Sequence, residues 1–223
     1  MVSRVFVDIG NTNTKWKFEG NFYISSTNTF EFKKLPECSK IWVSNVSTRS
    51  FDFNNADVTF VESQERYKSL TNIYNDPILL GCDRWLGMIS SYEMSQGKSF
   101  IFLDIGTAIT IDVVNKYGKH QGGLIFPGLN RLRKTFNNFQ VLPVKSIDEI
   151  GQSTADAWTI GTLSLIVNSI NYKVKNLRLE MPDALIFITG GGYPQIRDFL
   201  EFDHDYNENI VIEGLELFAD NMG

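Results

Sequence analysis

The sequence predicts an α/β chain built twice over, and three observations predict it. First, the stretch Val5-Phe6-Val7-Asp8-Ile9-Gly10-Asn11-Thr12-Asn13-Thr14 returns as Ile101-Phe102-Leu103-Asp104-Ile105-Gly106-Thr107-Ala108-Ile109-Thr110. Both read as a buried apolar strand that ends in Asp-Ile-Gly and a hydroxyl-bearing turn. Second, the first copy runs on into the polar–apolar alternation of Lys15 to Phe18 and a turn, the mark of a hairpin, and the second copy again reads strand, turn, strand. Third, Ala184 to Thr189 forms another apolar run that ends in Gly190-Gly191-Gly192. A single Asp-Ile-Gly step would more simply be a hairpin turn. Two matching copies point to a duplicated domain with a cleft between the halves, meeting near Gly97-Lys98, so that the halves are 1–97 and 98–223.

Strand, hairpin, strand at the start of each half is the layout of a ribonuclease-H-like unit. The first strand covers about Arg4–Asp8, Lys15 to Phe18 continues as a second, and Gly20-Asn21 turns into a third. Lys40 to Val46 reads as a core strand ending in small polar residues, Asp57 to Val61 as a shorter strand, and 51–56, rich in Asn and Asp, as loop. Asp83 is placed to start a helix over Arg84 to Gln96, with Trp85, Met88, Ile89 and Tyr92 at helical spacing and Gly97 as its stop. Asp83 is read here as a helix cap, the commoner role for an Asp before an apolar helix. The repeated strand opens the second half, and a helix follows Pro127-Gly128 over Asn130 to Phe136. Thr154 begins a long helix to about Arg178, whose stripe of Leu163, Ile166, Ile170, Val174 and Leu177 is most simply core, although a helix this long could also carry a dimer contact. Pro194 is expected to start a helix to Leu200, with a last strand over Asn209–Ile212 and a short helix from Gly214.

The chain's 223 residues, 43% hydrophobic and 21% charged, describe an ordinary globular protein. A net charge of −5 without a basic run argues against a nucleic-acid partner. No apolar segment is long enough for a membrane span, and Met1 to Arg4 leads directly into a strand, so neither signal peptide nor membrane anchor is expected. Cys38 and Cys82 make no disulfide framework, and a reducing cytoplasm is the expected compartment.

Chemical promise lies in Asp8, Asp104, the hydroxyls of Thr12 and Thr107, the Asp83-Arg84 pair and the glycine triplet. Carboxylates beside free backbone amides suit metal-held phosphate. A positioned base and an anchor for the acceptor complete what phosphoryl transfer needs. Nucleophilic hydrolysis fits worse, because there is no Gly-x-Ser-x-Gly and both His120 and His204 are expected to be solvated. There is no Walker loop and no Gly-x-Gly-x-x-Gly.

Asp8-Ile9-Gly10-Asn11-Thr12, Gly81-Cys82-Asp83-Arg84 and Asp104-Ile105-Gly106-Thr107-Ala108-x-Thr110 resemble motifs of type III pantothenate kinase. So do Gly122-Gly123-x-Ile125-x-Pro127-Gly128, Thr154 before the long helix, and Thr189-Gly190-Gly191. They stand in that family's order and span most of the chain. The resemblance implies two duplicated ribonuclease-H-like (actin-like ATPase) domains with an interdomain nucleotide cleft. The implied activity is ATP-dependent phosphorylation of pantothenate to 4'-phosphopantothenate, the first step of coenzyme A biosynthesis.

Carried over position by position, the resemblance makes Asp8, Ile9, Gly10, Asn11, Thr12, Asn13, Thr14 and Lys15 the first phosphate loop, with Asp8 near the Mg²⁺ of ATP. Asp83 matches the base that takes the proton of the pantothenate hydroxyl. Tyr74, Gly81, Cys82, Asp83 and Arg84 match the pantothenate site, and Arg84 is assigned to the substrate carboxylate through its planar fork. Asp104 matches the ligand of a monovalent cation, K⁺ or NH₄⁺, and Thr107 a phosphate contact. Thr154 matches a substrate contact near a subunit interface, since the family is dimeric. Two other readings remain open at this point: another small-molecule kinase of the same superfamily, and a non-catalytic relative that keeps the fold.

Overall fold

The computed structural model describes residues 3–49, 51, 57–136 and 138–222. Apart from Phe51, the loop expected at 51–56 lies outside them. In chain order, β1 (Arg4–Ile9), β2 (Asn13–Phe18) and β3 (Asn21–Ser26) form a meander, followed by β4 (Lys40–Asn45) and β5 (Val58–Phe60). A small ribbon of β6 (Arg66–Tyr67) and β7 (Leu70–Thr71) leads to α1 (Cys82–Ser95). Then come β8 (Phe100–Ile105), β9 (Ala108–Val114), β10 (His120–Pro127), α2 (Leu129–Arg133) and α3 (Thr154–Glu180). β11 (Leu185–Thr189), β12 (Asp205–Tyr206) and α4 (Ile210–Met222) complete the chain.

The duplication is visible in strand order. The first sheet runs β3-β2-β1-β4-β5 and the second β10-β9-β8-β11-β12. Each therefore places its strands third, second, first, fourth, fifth. In the first, β1 pairs antiparallel with β2 and parallel with β4, so β1 is central, and Val5 and Val7 are fully buried. A strand covered on both faces is apolar without alternation, which is why the sequence signal was a continuous run.

Two compact units are present. The first comprises Met1–Phe100, Asp112–Gly122 and Asn209–Gly223, and the second Ile101–Ile111 and Gly123–Glu208. In the first, Val5, Val7, Ile9, Ile41 and Val43 pack with Phe30 and Phe32, while α1 lies against α4. In the second, Ile101, Leu103 and Ile105 of β8 pack on Leu163, Ile166, Ile170 and Val174 of α3. That is the stripe anticipated from periodicity.

Two expectations fail. The strand at Asn209–Ile212 is instead the first turn of α4, since Ile210, Val211, Leu215 and Phe218 are buried at helical spacing. A β-branched run looked like a strand, but packing on α1 decided otherwise: a Cβ on Gly214 would lie 2.0 Å from the carbonyl oxygen of Leu86. The helix expected from Pro194 is two 3-10 turns, Tyr193–Gln195 and Arg197–Phe199. Ile196 between them is fully buried at φ −122, off the helical region, and this anchor splits the segment.

Candidate active site

Asp8, next to last in β1, lies opposite Ser44 of β4 in parallel register and opposite Lys15 of β2. That register lets the Ser44 hydroxyl donate to Asp8 Oδ1 at 2.9 Å. Burial and the nearby negative charge of Asp83 push the Asp8 carboxyl up from 3.8 to about 7. Cys82 Sγ sits 3.4 Å from the Ser44 hydroxyl. Burial raises its pKa to about 11, so it is a thiol rather than a nucleophile.

The turn after Asp8 is braced from within. Gly10 N–H donates to the Asn13 carbonyl at 3.0 Å, and Thr27 donates to the Gly10 carbonyl at 2.8 Å. Thr14 is fully buried with its hydroxyl 3.0 Å from that of Thr27. Ile9 belongs to the core. Of the expected phosphate loop, then, Asn11, Thr12 and Asn13 present exposed side chains, whereas Ile9 and Thr14 have backbone alone to offer.

Asp83 is not the helix cap. Gly81 holds that position and Asp83 lies inside the first turn of α1. Its Oδ1 accepts the Arg84 backbone N–H at 2.7 Å, satisfying one of the amides that a helix start leaves open. A Cβ on Gly81 would stand 2.7 Å from that same Oδ1, so glycine there gives the carboxylate its room. Burial raises the Asp83 pKa, with the Arg84 amide and charge acting against it and Asp112 reinforcing it.

Arg84 is buried, and its paired edge is engaged. Nε donates to Asp112 Oδ2 at 2.9 Å and Nη2 to Asp112 Oδ1 at 2.5 Å. Nη1 donates to the Tyr74 hydroxyl at 3.2 Å. The fork expected to meet a substrate carboxylate is therefore turned to Asp112, and the Nη1 corner beside Tyr74 is what remains. A further correction concerns His120, which was expected to be solvated. It is 2% exposed, stands 3.1 Å from Asp112 Oδ1 through Nε2, and stacks on Tyr74 at 6.2 Å. His204 is half-buried with Nε2 3.0 Å from the Tyr193 hydroxyl.

Ser44, Asp112 and His120 were missed as site residues. Asp112 did leave a signal, a charge inside the aliphatic run Ile109 to Val114, where an unpaired carboxylate would be prohibitive. Breaking such a pair from one side costs about 3–5 kcal/mol.

In the second unit, Asp104 is next to last in β8 and Thr107 lies in the β8–β9 turn, exposed. Gly190 has φ +100, and a Cβ there would come within 2.5 Å of Asp104 Oδ1 and 2.4 Å of the Ile105 carbonyl carbon. Gly192 donates to the Ile105 carbonyl at 2.7 Å. Two glycines of the triplet thus serve close packing against the end of β8, while Gly191 faces open space. Thr154 is exposed at the start of α3, whose cap is Ser153, accepting the Asp156 N–H at 3.1 Å. Among the described residues no three His, Cys, Asp or Glu side chains gather around one point as a metal cage. None of the described helices is long and apolar enough to cross a membrane.

The family model described as type III pantothenate kinase matches residues 27–176. The chain is 29% identical over 241 residues to the type III pantothenate kinase of Alcanivorax borkumensis, covering 96% of this chain and 98% of that one. Among solved structures, a Campylobacter jejuni protein described as a Baf family transcriptional activator superposes with a TM-score of 0.68 at 22% identity over 98% of each chain. The activator of 2-hydroxyisocaproyl-CoA dehydratase from Clostridium difficile, solved with bound ADPNP, gives 0.50 at 11% identity over 99% of this chain and 96% of that one. These structural likenesses bear on the fold, which is that of the actin-like ATPases and sugar kinases.

Proposed function

We propose how this chain, which belongs to the type III pantothenate kinase family, carries out that family's reaction: Asp83 takes the proton of the acceptor hydroxyl. The family's activity is ATP-dependent phosphorylation of pantothenate in coenzyme A biosynthesis, so the chain is a phosphotransferase that uses ATP and a divalent metal. The observation that carries the assignment is the seat of Asp83: a carboxylate in the first turn of α1, cleared by Gly81, steadied by one amide and close enough to Asp8 to raise its pKa.

In this reading the pantothenate primary hydroxyl donates its proton to Asp83 as its oxygen bonds to the γ-phosphorus and the bond to the ADP oxygen breaks. Phosphoryl transfer passes through a loose transition state, so aiming the hydroxyl matters more than deprotonating it early. A carboxylate raised by burial also holds the proton better than an ordinary one. Asp8 fits a divalent cation, because burial and then the Asp83 charge disfavour its carboxylate by more than the Ser44 hydroxyl and Lys15 favour it; bound there, the metal would supply charge neutralisation for the phosphates. Asn11, Thr12, Asn13 and Lys15, with the backbone of Ile9, Gly10 and Thr14, are assigned to those phosphates, and Thr107 to the same task after β8.

Asp104 is assigned the monovalent cation, K⁺ or NH₄⁺, which the close packing of Gly190 over its carboxylate supports. Tyr74, Gly81, Cys82, Arg84 and Thr154 are assigned to pantothenate. The repeat boundary is placed at 97/98, in keeping with the matching strand orders. A homodimer belongs to the same reading and is supported by Leu165, Tyr172 and Leu179, exposed and seven residues apart along α3. Free thiols at Cys38 and Cys82 suit the cytoplasm. The test is a coupled ADP-release assay with pantothenate, ATP, Mg²⁺ and K⁺. Asp83→Asn is expected to fold and to lose nearly all turnover, and wild-type rates in that variant would remove Asp83 from the chemistry.

A further inference from the structure

Arg84 gives its paired edge to Asp112, and that alters what an acceptor can meet. We infer that Asp112, backed by His120, is a positioning residue of the acceptor site: it clamps the Arg84 guanidinium so that Nη1 and the Tyr74 hydroxyl are the donors offered to the acceptor carboxylate. The inference rests on the assignment of Arg84 to pantothenate and goes further, to the residue that sets its geometry.

Asp112 is fully buried, so it meets no substrate itself. Two parallel hydrogen bonds from one guanidinium define its plane and its rotation, which a single bond would not. A long side chain otherwise free to turn is thereby ordered before substrate arrives, and that ordering need not be repeated on binding. His120 adds a third donor to Asp112. A carboxylate paired with Arg84 only accepts, so Nε2 must carry the hydrogen. Nδ1 of the same buried ring has no hydrogen-bond partner among the described residues. The one polar bond of the ring is therefore the one to Asp112, and its face lies parallel to Tyr74, which in turn bonds Nη1. The four side chains close a circuit: Tyr74, Arg84, Asp112, His120. Asp112 also balances the Arg84 charge, leaving direction rather than net charge to select the acceptor.

A double-mutant cycle separates this from a purely structural ion pair. Arg84→Gln, Asp112→Asn and the combination are measured for KM and kcat with pantothenate and, separately, with ATP. Asp112→Asn is expected to raise the KM for pantothenate about tenfold or more, the worth of one charge-assisted hydrogen bond, and to leave the KM for ATP unchanged. In the Arg84→Gln background the same substitution should add nothing, because Asp112 then has no guanidinium to hold. Additive effects, or equal rises in both KM values, would overturn the inference. If Arg84→Gln leaves the KM for pantothenate unchanged, it is the assignment of Arg84 that fails; if Arg84→Gln raises it and Asp112→Asn does not, only the clamp fails. Should Asp112→Asn not fold, His120 decides. His120→Gln, which keeps a donor for Asp112, should recover most of the pantothenate affinity that His120→Leu loses, and wild-type affinity in both variants would reject the clamp.

Discussion

Gly81→Ala tests the proposed base without touching it. The backbone at Gly81 has φ −53 and ψ 133, a conformation open to any L residue, so folding is not threatened. The new Cβ would stand 2.7 Å from Asp83 Oδ1, whereas ordinary contact begins at 3.4 Å. The carboxylate must therefore retreat by 0.7 Å (3.4 − 2.7) or leave its rotamer. Either movement loosens its 2.7 Å bond from the Arg84 amide. Displacement approaching 1 Å from productive geometry costs about a hundredfold in rate, so kcat should fall by roughly 10–100-fold. Stability should hardly move, with a melting shift of about 4 °C or less, the scale of 1 kcal/mol in a chain of this size. The assay is coupled ADP release at saturating ATP, Mg²⁺ and K⁺, beside a thermal melt of the same preparation. A folded Gly81→Ala protein with wild-type kcat would refute the claim that the seat of Asp83 governs turnover.

Three further outcomes are expected. Asp8 has its carboxyl raised from 3.8 to about 7, so the folded chain holds that proton more tightly than the unfolded one; in metal-free, nucleotide-free protein this contribution to stability is present below about pH 4 and is lost as pH rises to about 7. Melting temperatures across that window should decline more steeply in wild type than in Asp8→Asn, and equal slopes would exclude Asp8 as the cause. Gly214→Ala puts a Cβ 2.0 Å from the Leu86 carbonyl oxygen, forcing α1 and α4 apart; overpacking of this kind costs about 1–3 kcal/mol, read as a lower melting temperature, and an unchanged melt would contradict the packing. Turnover in Na⁺-only buffer should be low and return with K⁺, with Asp104→Asn abolishing the response; indifference to K⁺ in the wild-type protein would take that role from Asp104.

The repeated strand, the long α3 and the apolar body of α1 were legible because each is a local pattern. Residue type and a period of 2 or 3.6 suffice to identify them. Where local pattern and packing disagreed, packing prevailed. Ile210-Val211-Ile212 has the composition of a strand, yet burial against α1 made it helix. Gly190-Gly191-Gly192 held chemical promise as a triplet at a strand end, and two of its three glycines are packed against the end of β8.

By itself the sequence determined the duplicated α/β plan and the two acidic strand ends, along with the Gly81-Cys82-Asp83-Arg84 motif, all of them written in residues adjacent along the chain. Tertiary structure alone decided the partners of those groups. Ser44 reaches Asp8 from 36 residues away because β4 pairs with β1 in parallel register. Asp112 takes the fork of Arg84 from 28 residues away, and His120 is drawn into the interior behind it. A buried charge must find an opposite charge or a donor wherever the fold brings one within reach, and no spacing along a chain records where that will be.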